Sequence, residues 1–287
     1  MGFESLLGND RLKANLAESL AKKRISHFYL ISGPVGSGKH TLARLLAAAI
    51  LCQGTRKPCL SCGPCRKVMD GNHPDFITVD DPEKKTVTVD LIRQARADIY
   101  VQPNESEHKI YLFPRAQDMG LPGQNALLKV LEEPPKYGVF LLLTDNPDKL
   151  LPTVRSRCTE LKMQALPEDI LRKQLRLDFP QAQEDDLSAA VMRSGGFLGQ
   201  ARELLKSGDQ VPPQTEGFVK AFAYKDAMLL TQTLVPMEKW KRDVLAEILS
   251  SWLELLDAVR CLKKALDYTQ SNVSPAAVCG YLQWALR

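Results

Sequence analysis

Residues 33–41 read Gly-Pro-Val-Gly-Ser-Gly-Lys-His-Thr, the residue set of a phosphate-binding loop in every place but one. The pattern GxxxxGK[ST] uses glycines so that successive backbone N–H groups can curl around a polyphosphate. Its lysine reaches the outer phosphates, and its hydroxyl, directly after the lysine, ligates magnesium. Gly33, Gly36, Gly38 and Lys39 meet these demands. Where the hydroxyl belongs stands His40, with Thr41 one place late. The cradle is kept while the metal ligand is missing or displaced, a pattern compatible with an occupied or an empty loop.

A second constellation follows at once. The chain has 7 cysteines, and four of them, Cys52, Cys59, Cys62 and Cys65, fall between residues 52 and 65. An odd total without an export signal argues against a disulfide framework, whereas Cys59-x-x-Cys62-x-x-Cys65 with Cys52 upstream supplies four thiolates at spacings that fit tetrahedral zinc. Free thiols or a redox pair are the alternatives; a redox C-x-x-C needs a fold that nothing at this place resembles. Four sulfur ligands leave no position for water, so such a metal holds a loop together and catalyses nothing. Gly54, Pro58, Gly63 and Pro64 are expected to keep this ligand segment from becoming helix.

The elements that must position these groups alternate. The apolar, β-prone run His27–Ser32 precedes the glycine loop, and Thr41–Leu51 after it has helical spacing, which is the strand–loop–helix order the motif demands. Strands are expected near 28–32, 76–79, 110–113, 139–144 and 159–163, with helices at 39–51, 89–99 and 123–133 between them. Such alternation predicts an α/β fold with a parallel sheet whose ligands gather at the carboxyl ends of the strands. From 166 to 207 the pattern turns all-helical, with helices over 167–177, 184–193 and 198–206. A linker is read over 208–215. Beyond it Leu245, Ile248, Leu249, Trp252, Leu255, Leu256, Val259, Leu262 and Leu266 recur at helical steps, a stripe read as internal core or as a subunit contact. The expected domains are 1–165 with the cysteine insertion at 52–65, a lid at 166–207, and a helical domain at 208–287.

Composition sets the outer bounds. With 287 residues, 44% of them hydrophobic and 25% charged, the chain reads as globular and carries no apolar run of bilayer-spanning length. Its amino terminus lacks the basic start and apolar stretch of a signal segment, so a cytoplasmic place and no membrane partner are expected. A net charge of +4 permits a local basic face without announcing nucleic acid.

Taken together, the run from His27 to Thr41, the cysteine cluster, Gln124-Asn-Ala-Leu-Leu-Lys-Val-Leu-Glu-Glu-Pro-Pro135 and Thr153-Val-Arg-Ser-Arg-Cys158 resemble the AAA+ subunits of the bacterial replicative clamp loader, over roughly residues 5–207. The resemblance implies an AAA+ Rossmann-like parallel-sheet core, an inserted zinc module, a helical lid and a C-terminal all-α collar that oligomerises. It also implies where this chain departs from an ATPase. The strand ending at Phe113 should be followed by Asp-Glu, which organise magnesium and the attacking water; Pro114 and Arg115 stand there instead. In the lid the arginine expected in GxxRxA is Gly199. With His40, these losses imply a subunit that does not hydrolyse ATP.

The resemblance assigns one surviving catalytic piece. Arg157 of Ser156-Arg157-Cys158 matches an arginine that reaches the nucleotide site of the neighbouring subunit, where a guanidinium stabilises charge on the transferring phosphoryl group; pairing with a local carboxylate such as Glu160 is the alternative. The implied partners are gamma/tau and delta subunits in a five-membered ring, the sliding clamp, and primer–template DNA. Lys129 is read either as a phosphate contact or as a solvated helix residue, and the cluster Lys239-Trp240-Lys241-Arg242 as a weaker DNA candidate. Two rival readings stand beside this one: an active ATPase in which Thr41 takes the metal position, and a nucleotide-free adaptor outside replication.

Overall fold

The computed structural model describes residues 2–84, 86–206, 218, 221, 227–240, 245, 248–249, 252, 268–269 and 274–279. The chain divides into two compact units, Met1–Glu203 and Leu204–Arg287.

The first unit is built on five parallel strands, β1 (Phe28–Ser32), β2 (Phe76–Thr78), β3 (Lys109–Phe113), β4 (Gly138–Thr144) and β5 (Thr159–Lys162), in the spatial order β2-β3-β4-β1-β5. The three central strands bury every residue, whereas β5 at one edge buries only Leu161. A parallel sheet covered on both faces needs this continuous apolar run in its interior strands.

Alternation along β1 splits its side chains between two cores. Tyr29 and Ile31 join Ile110, Leu112, Leu141 and Leu143 under α1 (Asp10–Ala21), α2 (Lys39–Leu51) and α3 (Gly63–Met69). Phe28 and Leu30 join Tyr111, Phe113, Phe140 and Leu142 under α4 (Val89–Asp98) and α5 (Leu121–Glu132). Phe140 stacks on Phe28 at 4.6 Å and on Tyr111 at 5.3 Å. The result is a three-layer helix–sheet–helix sandwich with the carboxyl ends of β1, β3 and β4 side by side.

The short α6 (Pro152–Arg155) precedes β5, and α7 (Glu168–Asp178), α8 (Glu184–Arg193) and α9 (Leu198–Lys206) follow it. α1 has no counterpart in the sequence-based element list; its apolar spacing is sparse, with Leu16 its one buried residue. α5 starts at Leu121, two residues before the expected start, because Pro122 lies in the first turn, where a missing N–H costs nothing.

In the second unit α10 (Ala227–Leu234) contributes Leu230 and Leu234 to a core with Phe218, Leu245, Leu249, Trp252 and Val278. Phe218 and Trp252 stack at 3.9 Å. The described part of the apolar stripe is therefore internal packing; Leu255, Leu256, Val259, Leu262, Leu266, the 208–215 linker and Lys241-Arg242 lie outside the described residues. Among the described residues no helix is long and apolar enough to cross a membrane.

Candidate functional site

The glycine loop leaves β1 and enters α2 as the motif requires. Gly36 and Gly38 take φ of 75° and 91°, a region that a side chain disfavours. Lys39 opens α2, but its ammonium does not point into free space. It is 6% exposed, and Nζ donates to Gly33 O at 2.6 Å, to Pro34 O at 2.7 Å and to Asp145 Oδ1 at 2.5 Å. All three donors of the ammonium are thus spent within the loop and on the residue after β4. Sequence reasoning missed Asp145; its place directly after a central strand, at the sheet's ligand-binding end, was the available signal.

His40 and Thr41 are both exposed on the first turn of α2. Partial desolvation at the loop mouth, then the charges of Lys39 and Arg44, hold His40 below its ordinary pKa, so the ring is neutral at pH 7. A neutral imidazole is a poor ligand for magnesium, which prefers oxygen. Thr41 cannot take over by slipping back one place, because Leu42 N is bonded to Gly38 O and Leu42, Ala43, Leu45 and Leu46 are fully buried. Shifting the helix by one residue would turn that apolar face out of the core.

At the end of β3, Arg115 binds the segment that follows β2. Its Nη2 lies 2.6 Å from Asp80 Oδ1 and 2.8 Å from Asp81 O, and Nη1 donates to Lys84 O at 2.9 Å. It ties the loop after β2 to the end of β3 and neutralises Asp80, one of the acids near this end of the sheet.

Gly199 meets the loop itself. Its N–H donates to Gly36 O at 2.9 Å, and a Cβ built on Gly199 would lie 2.4 Å from Gly36 Cα. The start of α9 and the glycine loop are therefore in backbone contact, with no space for a side chain between them. Beside them a cavity of about 570 Å³ opens between the amino-terminal segment at Leu6 and Leu7, the loop, Gln174 of α7, Phe197 just before α9, and Arg202 of α9. The buried Ser37 Oγ in the loop has no hydrogen-bond partner among the described residues.

The four cysteines converge: the Sγ atoms of Cys52, Cys59, Cys62 and Cys65 all lie within 4.8 Å of one another. Gly54 N and Cys59 N donate to Cys52 Sγ at 3.3 and 3.4 Å, and Cys62 N to Cys59 Sγ at 3.3 Å. Hydrogen bonds from Ser61 and from Cys62 bring Cys59 down to about 5, while burial pushes Cys65 up. Four sulfurs at this separation, two of them receiving backbone N–H groups that favour thiolate, fit a tetrahedral zinc ion. The sequence-based expectation that Gly63 and Pro64 exclude helix is corrected: α3 begins there and carries Cys65. Pro64 stands in the first turn, where proline is tolerated.

Arg157 stands on the surface just past α6. Its side chain is 42% exposed; Nη1 donates to Thr153 O at 3.0 Å and Nη2 lies 3.7 Å from Glu132 Oε1. The local carboxylate is thus Glu132 and not Glu160, which instead accepts from Ser32 Oγ at 3.1 Å. Cys158 turns inward, with its Sγ 3.2 Å from Val154 O. Lys129 is exposed on α5 and makes no ion pair among the described residues.

A family described as DNA polymerase III, delta subunit, matches residues 8–167, more than half of the chain. The tau subunit of DNA polymerase III from Bacillus subtilis is 30% identical over 233 residues, 80% of this chain and 40% of that protein. The Escherichia coli tau subunit is 36% identical over 175 residues, 60% of this chain and 27% of that protein. The chain spans less than half the length of these curated relatives. Among solved structures, a RuvB variant from Thermotoga maritima superposes with a TM-score of 0.50 at 15% identity, covering 97% of this chain and 88% of that one; at that identity the likeness speaks for the fold alone. With a parallel sheet ordered β2-β3-β4-β1-β5, a glycine loop after β1 and this match on its amino-terminal half, the chain belongs to the DNA polymerase III delta-subunit family, among the clamp-loader AAA+ subunits related to gamma and tau.

Proposed function

We propose that the chain is a non-hydrolysing clamp-loader subunit of the delta prime kind. It forms one arm of a five-subunit ring with gamma/tau and delta subunits, and it helps place the sliding clamp on primed DNA. Its own site is chemically idle, and Arg157 serves the site next door. The observation that carries this reading is the contrast between the two cations. Lys39 is buried and fully spent on Gly33, Pro34 and Asp145, whereas Arg157 is exposed and, among the described residues, held by Thr153 O and a long approach to Glu132.

The residues around the glycine loop do not fit a magnesium triphosphate. No hydroxyl follows Lys39, Pro114 and Arg115 offer no carboxylate, and Gly199 backs directly onto Gly36. Cys52, Cys59, Cys62 and Cys65 would hold zinc, which when bound ties the segment between α2 and α3 together without catalysis. The 208–287 segment would form the ring contact as a collar, and Lys129 would contact phosphate from the inner face.

In this mechanism the chain contributes geometry and charge. Ring assembly brings Arg157 to the neighbour's phosphoryl group, where a guanidinium of this type is worth about 10³–10⁵ in rate at the site it enters. Reconstituting the ring with Arg157→Ala and recording DNA-stimulated ATP hydrolysis tests this; an unchanged rate refutes it. A second reading, a hydrolysing gamma/tau-like subunit, is favoured by the 30% and 36% identities to tau subunits and by the cavity beside the loop. ATP turnover by the purified chain clearly above background selects that reading over the first.

A further inference from the structure

The segment ahead of α1 has few bonds of its own, yet it is buried. Phe3 is 2% and Leu6 4% exposed, while within residues 2–8 the one backbone pairing among the described residues is Leu6 N donating to Phe3 O at 3.1 Å. Lys13 Nζ adds a bond to Leu6 O at 3.1 Å. A segment with so few backbone bonds opens locally unless side-chain packing holds it down.

That packing starts on the cysteine segment. Gly2 lies against it: a Cβ built there would overlap the Pro58 carbonyl and stand 2.6 Å from Pro58 Cγ. Pro58 is buried and directly precedes Cys59, whose N–H donates to Cys52 Sγ at 3.4 Å. Phe3 and Leu6 share a core with Cys52 and Cys65, and Cys59 and Cys62 pack against that core. At the far end Asn9 Oδ1 accepts from Gln164 N at 2.8 Å, just past β5. Between these ends Leu6 comes up to the glycine loop, its Cδ1 3.4 Å from a Cβ built on Gly38. Glu4, Ser5, Leu6 and Leu7 form one wall of the cavity of about 570 Å³.

We propose that the cysteine cluster acts on this cavity from outside it. With metal bound it fixes the bed on which residues 2–9 lie as a strap; loss of the metal releases the strap and opens that wall. The inference rests on the reading that Cys52, Cys59, Cys62 and Cys65 hold zinc. Without the cation that neutralises them, four thiolates within 4.8 Å of one another repel or take up protons, and the folding free energy supplied by the metal is lost. Residues 53–61 have no helix or strand to keep them in place, so the loss falls on Pro58 and, through it, on Gly2. β1, β3 and β4 are each paired on both sides and keep their bonds.

The test is hydrogen exchange on the full chain, compared when loaded with zinc, after chelation, and as Gly2→Val at saturating zinc, with metal content measured in each. Gly2→Val keeps all four ligands and forces the strap off Pro58. The expected result is exchange at Leu6 and across residues 36–38 faster by about tenfold or more in the chelated chain, as for a local opening, with β1, β3 and β4 unchanged. Gly2→Val should show the same pattern with its zinc retained. Loss of zinc with unaltered exchange at Leu6 overturns the proposal, and so does Gly2→Val exchanging there like the wild type. Should the chelated chain unfold as a whole, with β3 and β4 exchanging together with the strap, Gly2→Val decides alone: faster exchange at Leu6 with full metal content supports the proposal, and unchanged exchange overturns it. If the wild-type chain takes up no zinc, the metal reading itself falls and this inference with it.

Discussion

Replacing Gly199 by alanine probes the backbone contact between the start of α9 and the glycine loop. The added Cβ would stand 2.4 Å from Gly36 Cα, 2.7 Å from Gly36 O and 3.0 Å from Gly36 C. All three are backbone atoms of a loop whose own φ of 75° at Gly36 leaves little freedom to retreat. Forcing a methyl into such a space costs about 1–3 kcal/mol, and losing the Gly199 N–H bond to Gly36 O adds about 0.5–1.5 kcal/mol. Against this, alanine is better than glycine in a helix by up to about 1 kcal/mol. The balance is a loss of about 2 kcal/mol. For a folding unit of about two hundred residues each kcal/mol moves Tm by about 2–4 °C, so Gly199→Ala should lower it by about 4–8 °C in a calorimetric scan. Gly63→Ala is the control, since among the described residues no atom beyond its chain neighbours and its own helix backbone lies within 4 Å of a Cβ there; its shift should be within about 2 °C, from a surface-type change of about 0.5 kcal/mol. A Gly199→Ala protein that melts with or above the wild type would refute the backbone contact. With it would fall the argument that an arginine at this place has no room.

Elemental analysis of the purified chain should find one zinc per molecule, and Cys62→Ser should lose it together with several degrees of Tm, since metal held by four thiolates contributes directly to folding; full metal content in the variant would dismiss the site. Asp75 gives a pH test. It is fully buried, and burial alone would raise its pKa, but the N–H groups of Asn104, Glu105 and Ser106 and the Asn104 amide outweigh that and hold it below 3.8. A folded pKa below the unfolded value means stability that is complete above the ordinary carboxylate range of about 3.9 and is lost as pH falls through the folded value. Asp75→Asn should therefore cost about 1.5–3 kcal/mol at neutral pH and flatten the acid limb of the stability curve below about pH 4; an unaltered acid limb in urea titrations would reject this role.

The sequence by itself determined the alternation that makes the sheet parallel, the place of the glycine loop, the cysteine set and the missing carboxylates at Pro114 and Arg115. These are local properties: strand and helix periods, glycine spacing and residue identity do not depend on what packs against them. The family resemblance was legible for the same reason, because its strings are contiguous. Tertiary structure alone decided what each charge does. Lys39 finds Asp145 across 106 positions, Arg115 finds Asp80 across 35, Gly36 meets Gly199, and Arg157 faces Glu132 and not the nearer Glu160. Such pairings follow from which strand ends the sheet order sets side by side, and no periodicity encodes them. The start of α3 at Gly63 is the same lesson at short range: Gly-Pro reads as a breaker in isolation, yet packing of Cys65 and Val68 against α2 makes it the first turn of a helix.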